Sequence, residues 1–283
     1  MNAIIELFGR SVAQHEIDWG ALVRDQPCIY LGRKCYKVRK SDPGTAIGTC
    51  SVLYGRQAEP IVICPARLLE RGQVFTDCFH LLTTHEPGNE LHLVPEMAIP
   101  GGSVDYFLVS VRAGKVRDFV GIEIQALDTT GSVWPERQRL LHRLGSSAAD
   151  ASAVHQPFGI NWKMTAKTTL LQIHHKIQTF EHLNKKLVLV VQDKLLAYMT
   201  RQFDFGHVRN VAGVGDSMHF HAYGMEQQAD GTLKPVLQSR LSTDADGVGR
   251  CLGLQAEPRV ELEQILQALQ ARLSPTTRFA PQL

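Results

Sequence analysis

Hydrophobic and polar positions divide the chain into stretches of different texture. Residues 1 to about 25 place Ile4, Ile5, Leu7, Phe8 and Val12 near helical spacing, which predicts a short amphipathic helix. Between Cys28 and Cys64 the periodicity gives way to Gly, Pro, Ser, Thr and basic residues, a segment with little apolar material. AEPIVICP then reads as a short apolar strand and ARLLERGQVFTDCFHLL as a scaffold helix. SVDYFLVSV and DFVGIEIQALDTTG are rich in β-branched and aromatic residues, and the turn-like RAGKVR between them predicts two neighbouring strands of one sheet.

Downstream, Arg137 to Phe158 reads as a basic, leucine-containing helical piece followed by a small-residue connector, SSAADASA. WKMTAKTTLLQIHHKIQTFEHL sets Met164, Leu170, Leu171, Ile173, Ile177, Phe180 and Leu183 at amphipathic helical spacing. KKLVLVVQD, with its apolar run LVLVV, reads as a buried strand, and LLAYMTRQF predicts another helix. Two weaker strands and an amphipathic helix, EPRVELEQILQALQARL, complete the pattern. Helices alternating with strands predict an α/β core. No internal repeat or low-complexity segment interrupts it.

With 283 residues and 44% hydrophobic side chains, the chain can bury one sizeable core, or a catalytic domain with a small appendage. No apolar run approaches the roughly 20 residues of a membrane span. The N-terminal residues lack the pattern of a secretory signal. A cytoplasmic protein is therefore expected, whose six cysteines serve as ligands or buried thiols rather than disulfides.

Lys and Arg exceed Asp and Glu by only 30 to 28, so net charge reveals no partner. The distribution says more: Arg33, Lys34, Lys37, Arg39 and Lys40 crowd into eight residues without an acid. On composition alone this is a solvated loop, and phosphate contact is the alternative.

Hydrolysing a phosphodiester calls for an attacking water, neutralisation of charge on phosphate and relief of the leaving oxygen, all of which a carboxylate-held divalent metal supplies. Asp105 in SVDYFLVSV and Glu123 with Gln125 in VGIEIQALD supply two acids and an amide on adjacent predicted strands. Because side chains alternate, Glu123 and Gln125 share one face while Ile122, Ile124 and Ala126 line the other. An isolated E-x-Q would as readily face solvent on a half-exposed strand.

The segment D-(x17)-E-x-Q followed by ALDTTG resembles the active site of NotI-type restriction endonucleases, a PD-(D/E)xK group in which glutamine replaces the usual lysine. GRKCYKVRKSDPGTAIGTCSV, ICPARLLERGQVFTDC and FGINWKMTAKTTLLQIHHKIQTFEHLNKKLVLVVQD are similar to further blocks of that family, covering most of residues 28 to 205. The resemblance implies a PD-(D/E)xK core with a mixed sheet flanked by helices. It implies that Asp105 and Glu123 hold Mg²⁺ and that Gln125 orients the attacking water. Glu96 and Asp118 are nearby carboxylates that read first as ordinary surface acids.

Cys28, Cys35, Cys50 and Cys64 are separated by 6, 14 and 13 residues, a spacing unlike a zinc ribbon. Buried free thiols are one reading, and a tetrahedral Zn²⁺ or iron site is the favoured one, since the segment has little else to order it. The resemblance implies iron. Cys78 is an alternative ligand, though it reads more simply as a buried helix thiol, and Cys251 as structural. On this reading the basic run is an anchored DNA-contacting surface, with Arg33 and Arg39 its candidate readers of phosphate or guanine.

The implied organisation is an N-terminal helix (1–27), a four-cysteine metal and DNA-contact segment (28–64), a catalytic core (65–205) and C-terminal strands and helix completing the same domain (206–283). The implied function is that of a type II restriction endonuclease, a homodimer acting on double-stranded DNA. Lys163, Lys167 and Trp162 open a helix that either touches DNA or is simply solvated. His174, His175, His219 and His221 read as partly buried or exposed, and VAGVGD carries no function. Two rivals remain: a noncatalytic DNA-binding protein with a degenerate site, and a repair nuclease that reads structure.

Overall fold

A computed structural model of the chain describes residues 3–14, 17–146 and 157–254, with five further positions between 264 and 271. The N-terminus departs from the expected helix. Ala3–Leu7 is a strand, β1, because Phe8 and Gly9 adopt positive φ (52° and 76°), a turn that folds the chain back so that Arg10–Ser11 pairs with it. Helix is confined to α1 (Trp19–Asp25), where the Asp18 carboxylate caps Ala21 N–H at 2.9 Å.

β1 pairs with β2 (Thr49–Tyr54), and β2 with β3 (Glu59–Val62). Strands on both sides of Cys28 therefore share one four-stranded sheet. Ile4, Val52 and Ile61 also join the same buried cluster as Phe107 and Leu189 of the main sheet. The helix expected over residues 66–82 is broken. Glu70 and Arg71 leave helical geometry, so a 3₁₀ segment (Pro65–Gly72) precedes α2 (Gln73–Cys78) and another 3₁₀ turn (Phe79–Leu81).

The main sheet holds β4 (Glu90–Ile99), β5 (Gly102–Arg112), β6 (Lys115–Gln125), β7 (Lys186–Gln192), β8 (Met218–Gln227) and β9 (Leu233–Thr243). Its order is β9-β8-β7-β6-β5-β4. β4, β5 and β6 form an antiparallel meander, β6, β7 and β8 run parallel, and β9 returns antiparallel, so the sheet is mixed. β7 is buried at every position, as a central parallel strand requires. β4 gives no clear apolar signal because it is an exposed edge strand containing Pro95.

The crossover from β6 to β7 carries α3 (Trp134–Arg143) and the long α4 (Trp162–His182), and α5 (Asp193–Gln202) links β7 towards β8. After β9 comes α6 (Ala245–Cys251). Leu170, Ile173, Ile177 and Phe180 of α4 pack on one sheet face with Phe107, Leu189 and Phe220. Gly121 makes this possible, since a Cβ there would lie 2.3 Å from the Phe180 ring. The opposite face, including Ile122, Ile124, Val188 and Val190, packs against Leu68, Val74 and Leu81 of the 65–82 segment.

Among the described residues no helix is long and apolar enough to cross a membrane. Most of the connector SSAADASA and most of EPRVELEQILQALQARL lie outside the described residues. His219 and His221, expected to be partly buried or exposed, are fully buried on β8.

Candidate active site

β5 and β6 are registered so that Tyr106 faces Ile122 and Phe107 faces Gly121, which brings Asp105 opposite Glu123. The backbone N–H of Ile124 donates to Asp105 Oδ2 at 2.8 Å and fixes the carboxylate across the two strands. Asp105, Glu123, Gln125, Thr169, Gln172, His175 and Lys176 line one cleft of about 340 Å³. All three residues singled out as catalytic from the sequence thus meet in one place.

The sequence reading missed Lys176. It lies on the buried side of α4, beside Ile173 and Ile177, and its Nζ reaches Glu123 Oε1 at 2.6 Å. The signal was present: a lysine on an apolar helical stripe is rarely buried without an acidic partner. The Glu123 side chain is 13% exposed and that of Lys176 9%.

Burial pushes the Glu123 carboxyl up to about 7, with Lys176 opposing the shift and Asp105 adding to it. Burial also raises the Asp105 carboxyl, and Glu96 adds to that shift against the Ile124 N–H and Lys176. These are two acids placed where a second positive charge would be welcome. The Gln125 amide is anchored by donating from Nε2 to the Ala126 carbonyl at 2.6 Å.

A second cleft, of about 330 Å³, adjoins the first at Asp105 and Ile124 and is lined also by Arg33, Tyr36, Glu96 and Tyr106. Arg33 therefore reaches the site region. Arg39 does not line either cleft; its guanidinium lies 4.0 Å over the Trp134 ring. Glu96 sits at the edge of the site with a positive φ of 38°. Asp118 is structural, paired with Lys185 at 2.7 Å and accepting from Thr84 N–H at 2.8 Å. Lys163 and Lys167 are exposed on α4, and Trp162 packs against Tyr198 with ring centroids 5.8 Å apart.

The cysteine segment is less empty of core than its composition suggests. Cys28, Cys50 and Cys64 are buried in one cluster with Val62, Ala66, Leu68 and Leu69. The Cys64 thiol is lowered to about 6 by a hydrogen bond with Cys50 and by Lys37, against the effect of burial. The Cys50 thiol is raised well above its ordinary value by that same bond. Burial raises Cys35, and both Cys64 and Cys28 are close enough to add to the shift.

Among the described residues, however, no three or more His, Cys, Asp and Glu side chains are gathered into a ready metal cage. Lys37, read as part of the DNA-facing basic run, turns inward and donates to the Ile63 carbonyl at 2.6 Å. Cys78 belongs to the same buried cluster, with its thiol 3.8 Å from His221 Nδ1, while Cys251 lies 3.9 Å from His207 Nε2.

The sequence model of the family described as Restriction endonuclease NotI matches residues 32–227, most of the chain and every residue of the cleft. Neither the curated proteins nor the solved structures give a match. On the strength of that match the chain belongs to the NotI restriction endonuclease family.

Proposed function

We propose that the protein is a Mg²⁺-dependent type II restriction endonuclease with a PD-(D/E)xK active site, hydrolysing phosphodiester bonds at a short sequence in double-stranded DNA. The observation that carries this reading is the meeting of Asp105 and Glu123 in one cleft, both carboxyls raised above their usual range. Magnesium keeps several of its waters and needs only one or two protein carboxylates, so this pair fits the ion and would hold it. The bound ion supplies an activated water, neutralises charge on the phosphate and relieves the leaving oxygen.

The chain's own groups do the rest. The Ile124 N–H keeps the Asp105 carboxylate aimed along the sheet edge, and Gln125, on the same face as Glu123, orients the attacking water. Arg33, in the adjoining cleft, contacts the DNA backbone near Asp105, and Arg39 approaches DNA from its platform on Trp134. A homodimer acting in the cytoplasm matches a palindromic target, one protomer for each strand.

Cys28, Cys35, Cys50 and Cys64 are proposed as ligands of a structural iron or zinc ion. The thiolate bias of Cys64 and its direct contact with Cys50 suit a soft metal.

Digestion of a sequenced, GC-rich genome with Mg²⁺, followed by mapping of the ends, tests the function. Discrete fragments sharing one terminal sequence, absent with Glu123→Ala, are expected. A smear would indicate a structure-reading nuclease. Equal, negligible cleavage by parent and variant would indicate a noncatalytic DNA-binding protein.

A further inference from the structure

We propose that Lys176, delivered by helix α4 and not by the catalytic strands, is the site's catalytic cation. In the free protein it is paired with Glu123, and once metal takes the carboxylates it bears on the scissile phosphate and the attacking water. This rests on the nuclease reading above.

Of the residues lining the catalytic cleft, Lys176 is the one lysine or arginine. The strands provide none: two residues beyond Glu123 stands Gln125, a neutral amide, one Nε2–H of which donates to the Ala126 carbonyl. A cation in this position therefore has to come from another element. α4 provides it from its buried side, with Nζ 2.6 Å from Glu123 Oε1. Interior ion pairs add little stability compared with apolar residues of the same size, so an ion pair on the wall of an open cleft points to function.

The backbone is arranged to hold Lys176 there. The turn between β4 and β5 packs onto α4 at His175 and Lys176. A Cβ on Gly101 would stand 2.1 Å from the His175 carbonyl oxygen, and one on Gly102 3.0 Å from Lys176 Cε. Thr179 Oγ1 donates to the Pro100 carbonyl at 3.1 Å, closing the same contact. Gly102 begins the strand that carries Asp105, so one turn sets both the carboxylate and the lysine.

In the reaction the water oxygen forms the new bond to phosphorus and the bond to the leaving sugar oxygen breaks. The water gives its proton to solvent, and the leaving oxygen takes one from solvent. Lys176 stays protonated throughout and contributes charge and hydrogen bonds.

The test uses Lys176→Met, nearly isosteric, and Lys176→Gln, which can still hydrogen-bond to Glu123 without charge. Both are read by single-turnover cleavage with Mg²⁺ and by calorimetric titration with Mn²⁺ alone. We expect cleavage at least a hundredfold slower in both variants. We also expect Mn²⁺ to bind at least threefold more tightly, because no ammonium competes for Glu123. Adding Gln125→Lys to Lys176→Met is expected to restore at least tenfold of the lost rate by returning the charge from the strand.

Cleavage within threefold of the parent overturns the proposal. So does weaker Mn²⁺ binding combined with no rescue, the result expected of a residue that only holds the fold. If the parent cuts no DNA, the nuclease reading fails separately, and the titration alone decides whether Lys176 occupies a metal site: tighter binding supports it and unchanged or weaker binding overturns it.

Discussion

Ile124 lends its backbone N–H to Asp105 Oδ2 at 2.8 Å, and Ile124 is the residue between Glu123 and Gln125. A single hydrogen bond thus ties the acid of one strand to the pair on the next. Asp105→Asn keeps an oxygen to accept that bond and removes only the charge. It is expected to lower cleavage about a thousandfold, on the order of 4 kcal/mol in barrier, while the thermal midpoint stays within a few degrees. Calorimetry beside a plasmid assay checks both; a large fall in midpoint would make the acid a structural residue.

Glu123 gives a pH dependence of defined sign. Its folded value of about 7 lies above the ordinary 4.5, so between these values the folded protein holds a proton that the unfolded chain has released. Stability of the metal-free protein therefore falls as pH rises from about 4.5 to about 7, by about 3 kcal/mol at most. Urea unfolding at pH 5 and pH 8 should show this decline, and Glu123→Gln should flatten it. Cleavage runs the other way, rising as Glu123 ionises.

Arg67 and Glu6 form an ion pair at 2.8 Å whose side chains are 2% and 4% exposed. Ser51 donates to the same carboxylate, and Arg67 Nη2 donates to the Leu233 carbonyl, which ties β1 and β2 to β9. Arg67→Met strands a buried carboxylate and is expected to cost about 3–5 kcal/mol. Arg67→Met with Glu6→Gln should recover part of that loss, as measured by denaturant unfolding.

Gly101 has φ +97°, and its Cβ would meet the His175 carbonyl oxygen. Gly101→Ala is expected to destabilise the protein by more than about 1 kcal/mol and to slow cleavage, because the α4 turn carrying Lys176 must shift. Gly114→Ala, where positive φ adds strain but nothing stands near the added carbon, separates the two effects. It should cost stability and leave cleavage alone.

Cys50 and Cys64 are buried in one cluster at the centre of the proposed metal segment. If iron or zinc is held there, Cys64→Ser should empty the protein of bound metal by elemental analysis and lower the thermal midpoint by several degrees. Metal retained at the parental level would place it elsewhere.

Periodicity and residue type carry much of this protein locally. The apolar run LVLVV within KLVLVVQ is a central parallel strand, the helical spacing of Leu170, Ile173 and Ile177 is α4, and alternation puts Glu123 and Gln125 on one face. Those are properties of neighbours in the chain. Tertiary structure decided what neighbours cannot express. Positive φ at Phe8 and Gly9 made a strand of a helical pattern, and the edge position of β4 hid its period. Long-range packing turned Lys37 towards Ile63, stacked Arg39 on Trp134 and carried Lys176 across 53 residues to Glu123. A charge is placed by the partner that offsets its desolvation, and that partner is known only once the chain has closed on itself.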